Sequence, residues 1–520
     1  MIAHLSALPV LIPLFAGALL LVAGDRRAGL NRAVGIIATS VQLAVAIAIA
    51  LRAASGEFDV YSLGDWPAPF GIVLVVDRLA ALMLLLAMIV AMAALVYAIC
   101  GWDRQGRHFH AFFQFQLMGL AGAFLTGDLF NLFVFFEVLL IASYCLLVHG
   151  RGPERLRAGV HYVVLNLAGS ALFLVGVSLL YGVTGTLNMA DLALRVRDIA
   201  PADVPFAKAA ALLLLVVFAL KAALFPLYFW LPTGYAATSA PVAALFAIMT
   251  KVGAYSIIRV FSLVFGPDAG PLALVAAPWL LPVGIVTVIA GVAGALAAST
   301  LRGLIAHLTV VSAGTIAAAL SLATAESLSA TLFYLVHSTL VTAALFLLAE
   351  LVAAQRGDTA DALRPAAPVA QPAILGGLMM LLAASAAGLP PFPGFLGKVL
   401  ILQSALTTAH AVSIWTTILV AGLLSVVGLA RAGSHVFWKV LPGAPAAAAG
   451  ASLTATAAAV AIAAIGVFVA VLAGPIKSFT DAAAADLAAP GRYAERVLGA
   501  GYDPRATVRP LPGPERGPTR

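Results

Sequence analysis

Long apolar runs separated by short polar segments cover the chain from one end to the other. A helix needs about 20 apolar residues to cross a bilayer, and most of the runs approach or exceed that length. A membrane β-barrel would instead show short segments of alternating apolar and polar residues. The pattern therefore predicts an all-α polytopic membrane protein. We predict fourteen spans, at roughly 6–24, 33–51, 72–100, 111–127, 129–149, 159–182, 206–234, 241–263, 272–298, 301–323, 328–354, 371–411, 413–437 and 451–474.

Two of these spans, the seventh and the twelfth, are interrupted. Pro226 interrupts the seventh, and the stretch GLPPFPG (Gly388–Gly394) interrupts the twelfth. Broken helices survive at membrane depth where protein or a water-filled cavity satisfies the freed backbone groups, and they commonly build ion sites in transporters made of inverted repeats. Spans four to eight and nine to thirteen form two blocks of five helices. Because five is odd, the blocks have opposite topologies, and the broken span is the fourth of each block.

This arrangement divides the chain into five parts. An N-terminal three-helix segment precedes two inverted five-helix repeats, and a last transmembrane helix and a basic, Pro-rich tail follow them. Within the tail we expect a short helix near Phe479–Leu487 and disorder beyond it, because the end is rich in Pro and Arg. The boundaries are 1–110, 111–263, 264–437, 438–474 and 475–520.

The composition and the charge distribution agree with a membrane location. Of the 520 residues, 63% are hydrophobic and 10% are charged, whereas soluble domains carry about 25% charged residues. The net charge is +7, but no basic patch interleaved with aromatic residues points to nucleic acid. Thirteen basic residues flank the odd-numbered loops and six flank the even-numbered ones. The positive-inside rule therefore places the odd loops in the cytoplasm and both termini on the outer side.

Neither redox chemistry nor a cofactor is indicated by the sequence. Cys100 and Cys145 belong to no C-x-x-C or Cys/His cluster, so no disulfide and no metal site is expected. The first apolar run has no lysine or arginine before it, so we interpret it as a first span rather than a cleaved signal peptide. No flavin, iron–sulfur or nucleotide signature appears, and we expect no cofactor.

Lysine is scarce in this chain, and half of the lysines lie inside predicted spans. Six of the 29 basic residues are lysines, and three of those six, Lys221, Lys251 and Lys398, lie well within apolar runs. Arginine cannot be deprotonated in a protein, whereas a buried lysine readily changes its pKa. The pattern indicates that these positions need a group that can lose and regain a proton.

Glu137 is the buried acidic candidate. It is roughly 13 Å from the nearer polar end of its span, and Lys221 is about 20 Å from the nearest charged end, at about 1.5 Å per residue. Snorkelling works only near helix ends, and a charge at this depth costs about 2.5–3.5 kcal/mol. A functional role is favoured for both; the alternative is a structural ion pair for Glu137 and snorkelling for Lys221. Lys398 could instead lie near an interface if the break ends its span.

His307 and His337 lie in the tenth and eleventh spans. A lone histidine in a membrane is often a hydrogen-bonded packing residue. The ordinary pKa of histidine, about 6.5, would also suit a proton relay. Both interpretations stay open for these two side chains.

Four further charges are given structural interpretations. Asp77 and Arg78 are adjacent near the start of the third span, where we expect a structural or interfacial pair. Arg259 is close enough to the end of its span to snorkel. Glu350 is expected to be solvated at the cytoplasmic end of its span.

Several of these motifs together resemble the antiporter-like proton-translocating membrane subunits. That family includes the large antiporter-like subunits of respiratory complex I, hydrogenase membrane subunits and Mrp-type (also Mnh or Pha) cation/proton antiporters. The resemblance covers roughly 73–439, and within the family it is strongest to the D-type subunits of the Mrp group. The motifs that carry it are FNLFVFFEVLLIASYCLLVHG, LKAALFPLYFWLP, TKVGAYSIIRV and GLPPFPGFLGK.

The resemblance implies a proton pathway that runs laterally near the middle of the membrane. In it Glu137 pairs with Lys221, and Lys251 is the central carrier. His307 and His337 would bridge to Lys398, which ends the path. The implied partners are the other subunits of an Mrp-type complex, protons, sodium or potassium ions, and the lipid bilayer of a bacterial inner membrane.

The sequence departs from its relatives where spans ten and eleven would carry the relay. Many relatives have a lysine after the histidine of span eleven, where this chain has Thr342, and LRGLIAH has one arginine where relatives often have a basic pair. The VVSAG stretch around Ser312 also lacks a polar residue that some relatives show. Two alternatives stay open: a proton-pumping subunit of an NADH-quinone oxidoreductase or membrane-bound hydrogenase, and a scaffold whose channel has degenerated.

Overall fold

The computed structural model describes residues 4–150, 152–441 and 450–504. The N-terminal part contains α1 (Leu8–Ala23), α2 (Ala28–Ala54) and α3 (Arg78–Ala98), with an antiparallel hairpin of β1 (Asp59–Ser62) and β2 (Val73–Val76) between α2 and α3. The third span was predicted to begin at 72, and this boundary is wrong. The helix begins only after the carboxylate of Asp77, which caps it by accepting a hydrogen bond from the Ala80 amide at 2.8 Å.

The first predicted repeat contains a broken helix at the expected place. Helical structure stops after Lys221 and resumes at Trp230, so Pro226 lies in an irregular segment. The protein itself satisfies the freed backbone, because the Trp230 indole donates to the Leu220 carbonyl at 3.0 Å and Thr287 accepts from the Phe225 amide at 2.9 Å. The helices are α4 (Phe109–Leu125), α5 (Leu129–Leu147), α6 (Pro153–Thr184), α7 (Met189–Arg195), α8 (Val204–Lys221), α9 (Trp230–Ala237), α10 (Ala240–Phe246) and α11 (Met249–Leu263).

The second predicted repeat is broken at its fourth span as well. A left-handed Gly388, with a φ of 83°, ends one helix, and the next helix begins at Pro393. The long α14 is buried along almost its whole length and packs against helices of both predicted repeats. The helices are α12 (Ala277–Ala297), α13 (Leu301–Leu320), α14 (Ala325–Ala353), α15 (Pro372–Ala387), α16 (Pro393–Ala405) and α17 (Ala411–Gly433).

Three helices follow: α18 (Leu453–Val471), α19 (Ala473–Leu487) and α20 (Pro490–Leu498). The helix predicted near Phe479–Leu487 is the second half of α19. The disorder predicted after it is wrong at Pro490–Leu498, which forms α20, and the part of this prediction from residue 505 onward lies outside the described residues. Helix α19 packs against α3 and α14, and α20 packs against α7. Short 3-10 or π turns lie at Leu63–Asp65, Trp102–Arg104, Val196–Asp198, Gly270–Leu272, Gly357–Thr359 and Ser434–Trp438.

The helices confirm an all-α polytopic membrane fold. In the described residues, 11 helical segments are long and apolar enough to cross a membrane. Three shorter apolar helices accompany them: Leu8–Ala23, Phe109–Leu125 and Pro372–Ala387. The count of fourteen spans and the boundaries of the repeats remain predictions.

The four charges outside the candidate site are paired differently from the expectation. Asp77 does not pair with Arg78, but forms a buried bidentate ion pair with Arg259, which is 1% exposed and does not snorkel. Arg78 instead pairs with Asp486 of α19. Glu350 is not solvated, because it pairs with Arg302 in a largely buried position. Charges removed from water need a partner of opposite sign, which explains all three differences.

Candidate functional site

Lys221 is the last residue of α8 and is 7% exposed, so its ammonium is held inside the protein. It donates a hydrogen bond to Oδ1 of Asn166 on α6 at 3.2 Å. It also lies 5.9 Å from the centre of the Phe136 ring, within the range of a cation–π interaction. The position at the helix end adds the negative end of the helix dipole to the groups that stabilise a positive charge there.

Glu137 of α5 lies close to this ammonium but does not touch it directly. Its carboxylate accepts a hydrogen bond from the hydroxyl of Ser170, which also donates to the Asn166 carbonyl at 3.1 Å. Within the described residues no direct ion pair joins Glu137 to Lys221, so the expected direct contact is replaced by a link through two neutral residues of α6. Asn166 and Ser170 are four residues apart, so both face the same side of that helix.

Lys251 lies on α11 and is 1% exposed. It donates to the hydroxyl of Ser312 on α13 at 3.2 Å. Two residues later, Gly253 lets α11 pass directly against the break after α8. A Cβ at Gly253 would lie 2.3 Å from the Ala222 nitrogen and 2.6 Å from the Lys221 carbonyl carbon. The close approach therefore brings the backbones that carry Lys221 and Lys251 into contact.

A small cavity lies between these two lysine-bearing segments. It measures about 10 Å³, about the space that one water needs, and its lining includes Ala222, Leu224, Thr250 and Lys251. The hydroxyl of Thr250 is buried and has no hydrogen-bond partner among the described residues. A water in the cavity would satisfy Thr250 and lie beside Lys251.

Lys398 lies on α16, just after the second break. Its ammonium donates to the Ala387 carbonyl at the end of α15, at 2.6 Å. Gly388 is needed at this turn for two reasons, because its φ is positive and because a Cβ there would lie 3.0 Å from Nζ of Lys398. The break thus closes around Lys398, whereas the Lys221 ammonium points to α5 and α6.

His337 is buried on α14 beside the second break. A Cβ at Gly394 would lie 2.7 Å from its Nε2 and 2.0 Å from the Ser385 carbonyl oxygen, so Gly394 makes room for both groups. His337 therefore lies at the break that precedes Lys398, and its bridging role toward Lys251 stays a prediction.

His307 lies at a different surface of α13. It is half-buried, its Nδ1 is 2.8 Å from the carbonyl of Gly303 one turn earlier, and its ring packs against Gly294 of α12. In the described ranges no polar contact joins it to another candidate residue. The packing interpretation fits His307 better than a direct bridge between Lys251 and Lys398.

The structure also adds neutral residues that the sequence did not single out as site residues. These are Asn166 and Ser170, Ser312 as the partner of Lys251, and Tyr334, whose ring centre is 6.1 Å from that of His337. The spacing of Asn166 and Ser170 was a usable signal, because it puts two polar side chains on one face of an apolar helix. Tyr334 carried no such signal, since aromatic residues are common in these spans.

The fold is that of a polytopic helical membrane protein. Lys221, Lys251 and Lys398 lie around its two broken helices. Residues 126–426 match the profile of the family described as NADH:quinone oxidoreductase/Mrp antiporter, TM. The chain belongs to this family.

Relatives match it over nearly their full lengths. The chain is 42% identical to the D subunit of a "Probable K(+)/H(+) antiporter" of Rhizobium meliloti, over 97% of this chain and 98% of the relative. It is 36% identical to the D subunit of a Na(+)/H(+) antiporter of Alkalihalophilus pseudofirmus, over 95% and 99% of the two chains. It superposes on a chain of the Mrp complex from Dietzia sp. DQ12-45-1b with a TM-score of 0.86 and 26% identity, covering 96% and 99%.

Proposed function

We propose that this chain is the D-type, proton-translocating subunit of an Mrp-type multisubunit antiporter that exchanges protons for sodium or potassium ions. The observation that carries the proposal is a row of titratable side chains, Glu137, Lys221, Lys251, His337 and Lys398, each held by polar or packing contacts around the two broken helices. The names of the full-length relatives support it, since they are subunits of K⁺/H⁺ and Na⁺/H⁺ antiporters.

The first step of the mechanism is electrostatic. A carboxylate that approaches an ammonium favours its charged form, and one that moves away favours the neutral amine. Asn166 and Ser170 hold Glu137 one side chain away from Lys221, so a small rotation of either side chain changes the interaction between the two charges. Such a change makes Lys221 release or take up a proton.

The second step carries the change along the site. Lys251 responds to the charge on Lys221 by repulsion, because the Gly253 contact brings their backbones together. His337 then connects Lys251 with Lys398, the last titratable group of the row. His307 packs beside this row without bridging it. Because Thr342, buried on α14, stands where many relatives have a lysine, His337 and its neighbours make the connection.

The proposal extends to the surroundings of the chain. The partners are the other subunits of the Mrp-type complex, which convert proton movement into cation export. The chain lies in the plasma membrane of a bacterium, with both termini on the outer side, as the distribution of basic residues predicts.

The test uses the whole operon in a strain that lacks its own antiporters, with cation-dependent proton exchange measured in everted membrane vesicles. Lys221→Ala and Glu137→Gln are expected to abolish exchange. Two matched controls are available: Lys208→Ala on the exposed side of α8, and Glu154→Gln at the exposed start of α6. Exchange at the wild-type rate in Lys221→Ala, at normal complex levels, would overturn the proposal.

A second candidate function is a proton-pumping subunit of a respiratory membrane complex. The observation in its favour is the superposition on a chain of the archaeal membrane-bound sulfane sulfur reductase, with a TM-score of 0.85 and 26% identity. Purification of the complex with its native neighbours decides between the two: co-purifying iron–sulfur or flavin subunits favour the second function, and small Mrp-type subunits favour the first.

A further inference from the structure

No hydrogen bond joins Lys251 to His337 in the described residues, which leaves a gap in the row at this point. Lys251 donates to Ser312 on α13, whereas His337 lies on α14. Nδ1 of His337 is buried and has no hydrogen-bond partner in the described part of the chain. A buried polar atom without a partner costs about 1–3 kcal/mol, so a polar group that can reach this nitrogen is expected nearby.

Tyr334 lies at the gap. It precedes His337 by three residues on α14, so the two side chains share one face, and their ring centres are 6.1 Å apart. The Tyr334 hydroxyl lies beside the hydroxyls of Ser312 and Thr315 on α13. Thr315 donates its proton to the Val311 carbonyl at 2.9 Å, whereas Ser312 accepts from Lys251 and keeps its own proton for another acceptor.

Of the two ring nitrogens of His337, Nδ1 is the one that is free to accept a proton. The edge that carries Nε2 lies beside the Ser385 carbonyl, in the space that Gly394 makes. A neutral imidazole that donates from Nε2 to a carbonyl has a lone pair on Nδ1. Gly397, one turn further on, lets α16 pack against Tyr334, because a Cβ there would lie 3.2 Å from the tyrosine ring. The second broken helix therefore packs on both aromatic side chains.

We propose that the hydroxyls of Ser312 and Tyr334 pass protons between Lys251 and His337. A hydroxyl is both a donor and an acceptor, so it can take a proton on one side and release another on the other side. The Lys251 ammonium gives a proton to Ser312 as Ser312 gives its own to Tyr334, and Tyr334 gives its own to Nδ1, directly or through one water. Lysine ends as the neutral amine and histidine as the imidazolium, and both hydroxyls are unchanged.

This inference rests on the proposed antiport function, and the experiment separates the two. Tyr334→Phe removes one oxygen and keeps the ring. Its matched control is Tyr235→Phe, because Tyr235 is equally buried and its hydroxyl donates to the Phe246 backbone carbonyl away from the row. Exchange is measured in everted vesicles with the whole operon, in H2O and in D2O, together with the level of assembled complex.

Tyr334→Phe is expected to slow exchange about 10²-fold, the lower end of what a positioned acid–base group contributes, and to increase the H2O/D2O rate ratio. Tyr235→Phe should change neither. A merely structural role would lower the amount of complex without changing the isotope ratio. Wild-type exchange and isotope ratio in Tyr334→Phe would overturn the inference and leave the proposed function intact, provided that Lys251→Ala abolishes exchange.

Ser312 gives a second test that needs no change at Tyr334. Ser312→Thr keeps the hydroxyl and is expected to keep exchange, whereas Ser312→Ala is expected to lose it. If Tyr334→Phe fails to assemble, this pair decides the question, since equal exchange in Ser312→Thr and Ser312→Ala contradicts the hydroxyl path. Wild-type exchange in Lys251→Ala would instead contradict the proposed function itself.

Discussion

Arg259 of α11 and Asp77 at the start of α3 form a buried bidentate ion pair between residues 182 positions apart. The arginine also lies 5.5 Å from the centre of the Tyr255 ring. This pair joins the N-terminal three-helix segment to the helix that carries Lys251. It therefore connects the stability of the fold to the position of the candidate site.

Asp77→Asn is expected to destabilise the protein by about 3–5 kcal/mol, because it leaves the Arg259 guanidinium buried without a counter-charge. Asparagine is as good an N-cap as aspartate, so the cap of α3 is kept. The free energy of unfolding in mixed detergent micelles measures the effect. Asp486→Asn is the control, since its more exposed pair with Arg78 should contribute no more than about 1 kcal/mol. Equal losses in the two variants would contradict the assignment.

Lys251→Arg separates charge from titration at the centre of the row. Arginine keeps the positive charge but cannot be deprotonated in a protein. We expect a complex that assembles and has background exchange in everted vesicles. Lys208→Arg, at an exposed position on α8, should leave exchange unchanged. Wild-type exchange in Lys251→Arg would show that this position needs only a positive charge.

Gly253→Ala tests the contact between α11 and the first break. The added methyl group would meet the backbone of Ala222 and Lys221, which cannot move aside as a flexible side chain can. We expect a loss of about 1–3 kcal/mol in unfolding free energy and slower exchange, because Lys251 moves away from the break. Gly182→Ala on α6 meets nothing within 4 Å and is the control. A fully active Gly253→Ala protein would exclude a close coupling at this contact.

Asp103 makes stability depend on pH outside the membrane spans. Burial raises the pKa of this carboxyl, but hydrogen bonds from Arg32 at 2.6 and 2.8 Å and from His110 at 3.3 Å lower it, and the net pKa is below its ordinary value. A lowered carboxyl pKa stabilises the fold above the ordinary value, near pH 3.9. This contribution is lost as the pH falls through the folded-state pKa.

Asp103→Asn should therefore lower the unfolding free energy by about 2 kcal/mol at pH 7. The difference from the wild type should shrink as the pH falls below about 4, because protonation removes the same charge from the wild-type protein. Thermal unfolding in detergent at several pH values measures this. Asp65→Asn, at an exposed turn, should show no such difference. A deficit that stays constant down to low pH would contradict the ion-pair explanation.

The membrane fold and the charged residues of the candidate site could be predicted, because the transfer of apolar segments and of charges between water and the membrane interior involves large free energies. Charges such as Lys221 and Lys251 in apolar runs, and a proline inside such a run, stand out in any single sequence. The fourth-position breaks followed from the same signals. These features require no knowledge of how the helices pack.

The partners of those charges could not be predicted, because they depend on helix rotation and on contacts between distant segments. Nothing in the sequence shows that Asn166 contacts Lys221, because this depends on the rotation of α6 about its axis. Arg259 looked able to snorkel, since nothing in the sequence shows that α11 lies against Asp77. His307 looked equivalent to His337, but it faces α12 instead of the row.

The C-terminal helices have a consequence for how the protein is made. Tyr493 of α20 lies with its ring 5.7 Å from the Arg259 guanidinium, and Asp486 of α19 holds Arg78. The ribosome synthesises Asp77 and Arg259 long before these two residues. The surroundings of the ion pair are therefore completed by the part of the chain that is synthesised last, after the last membrane-spanning helix.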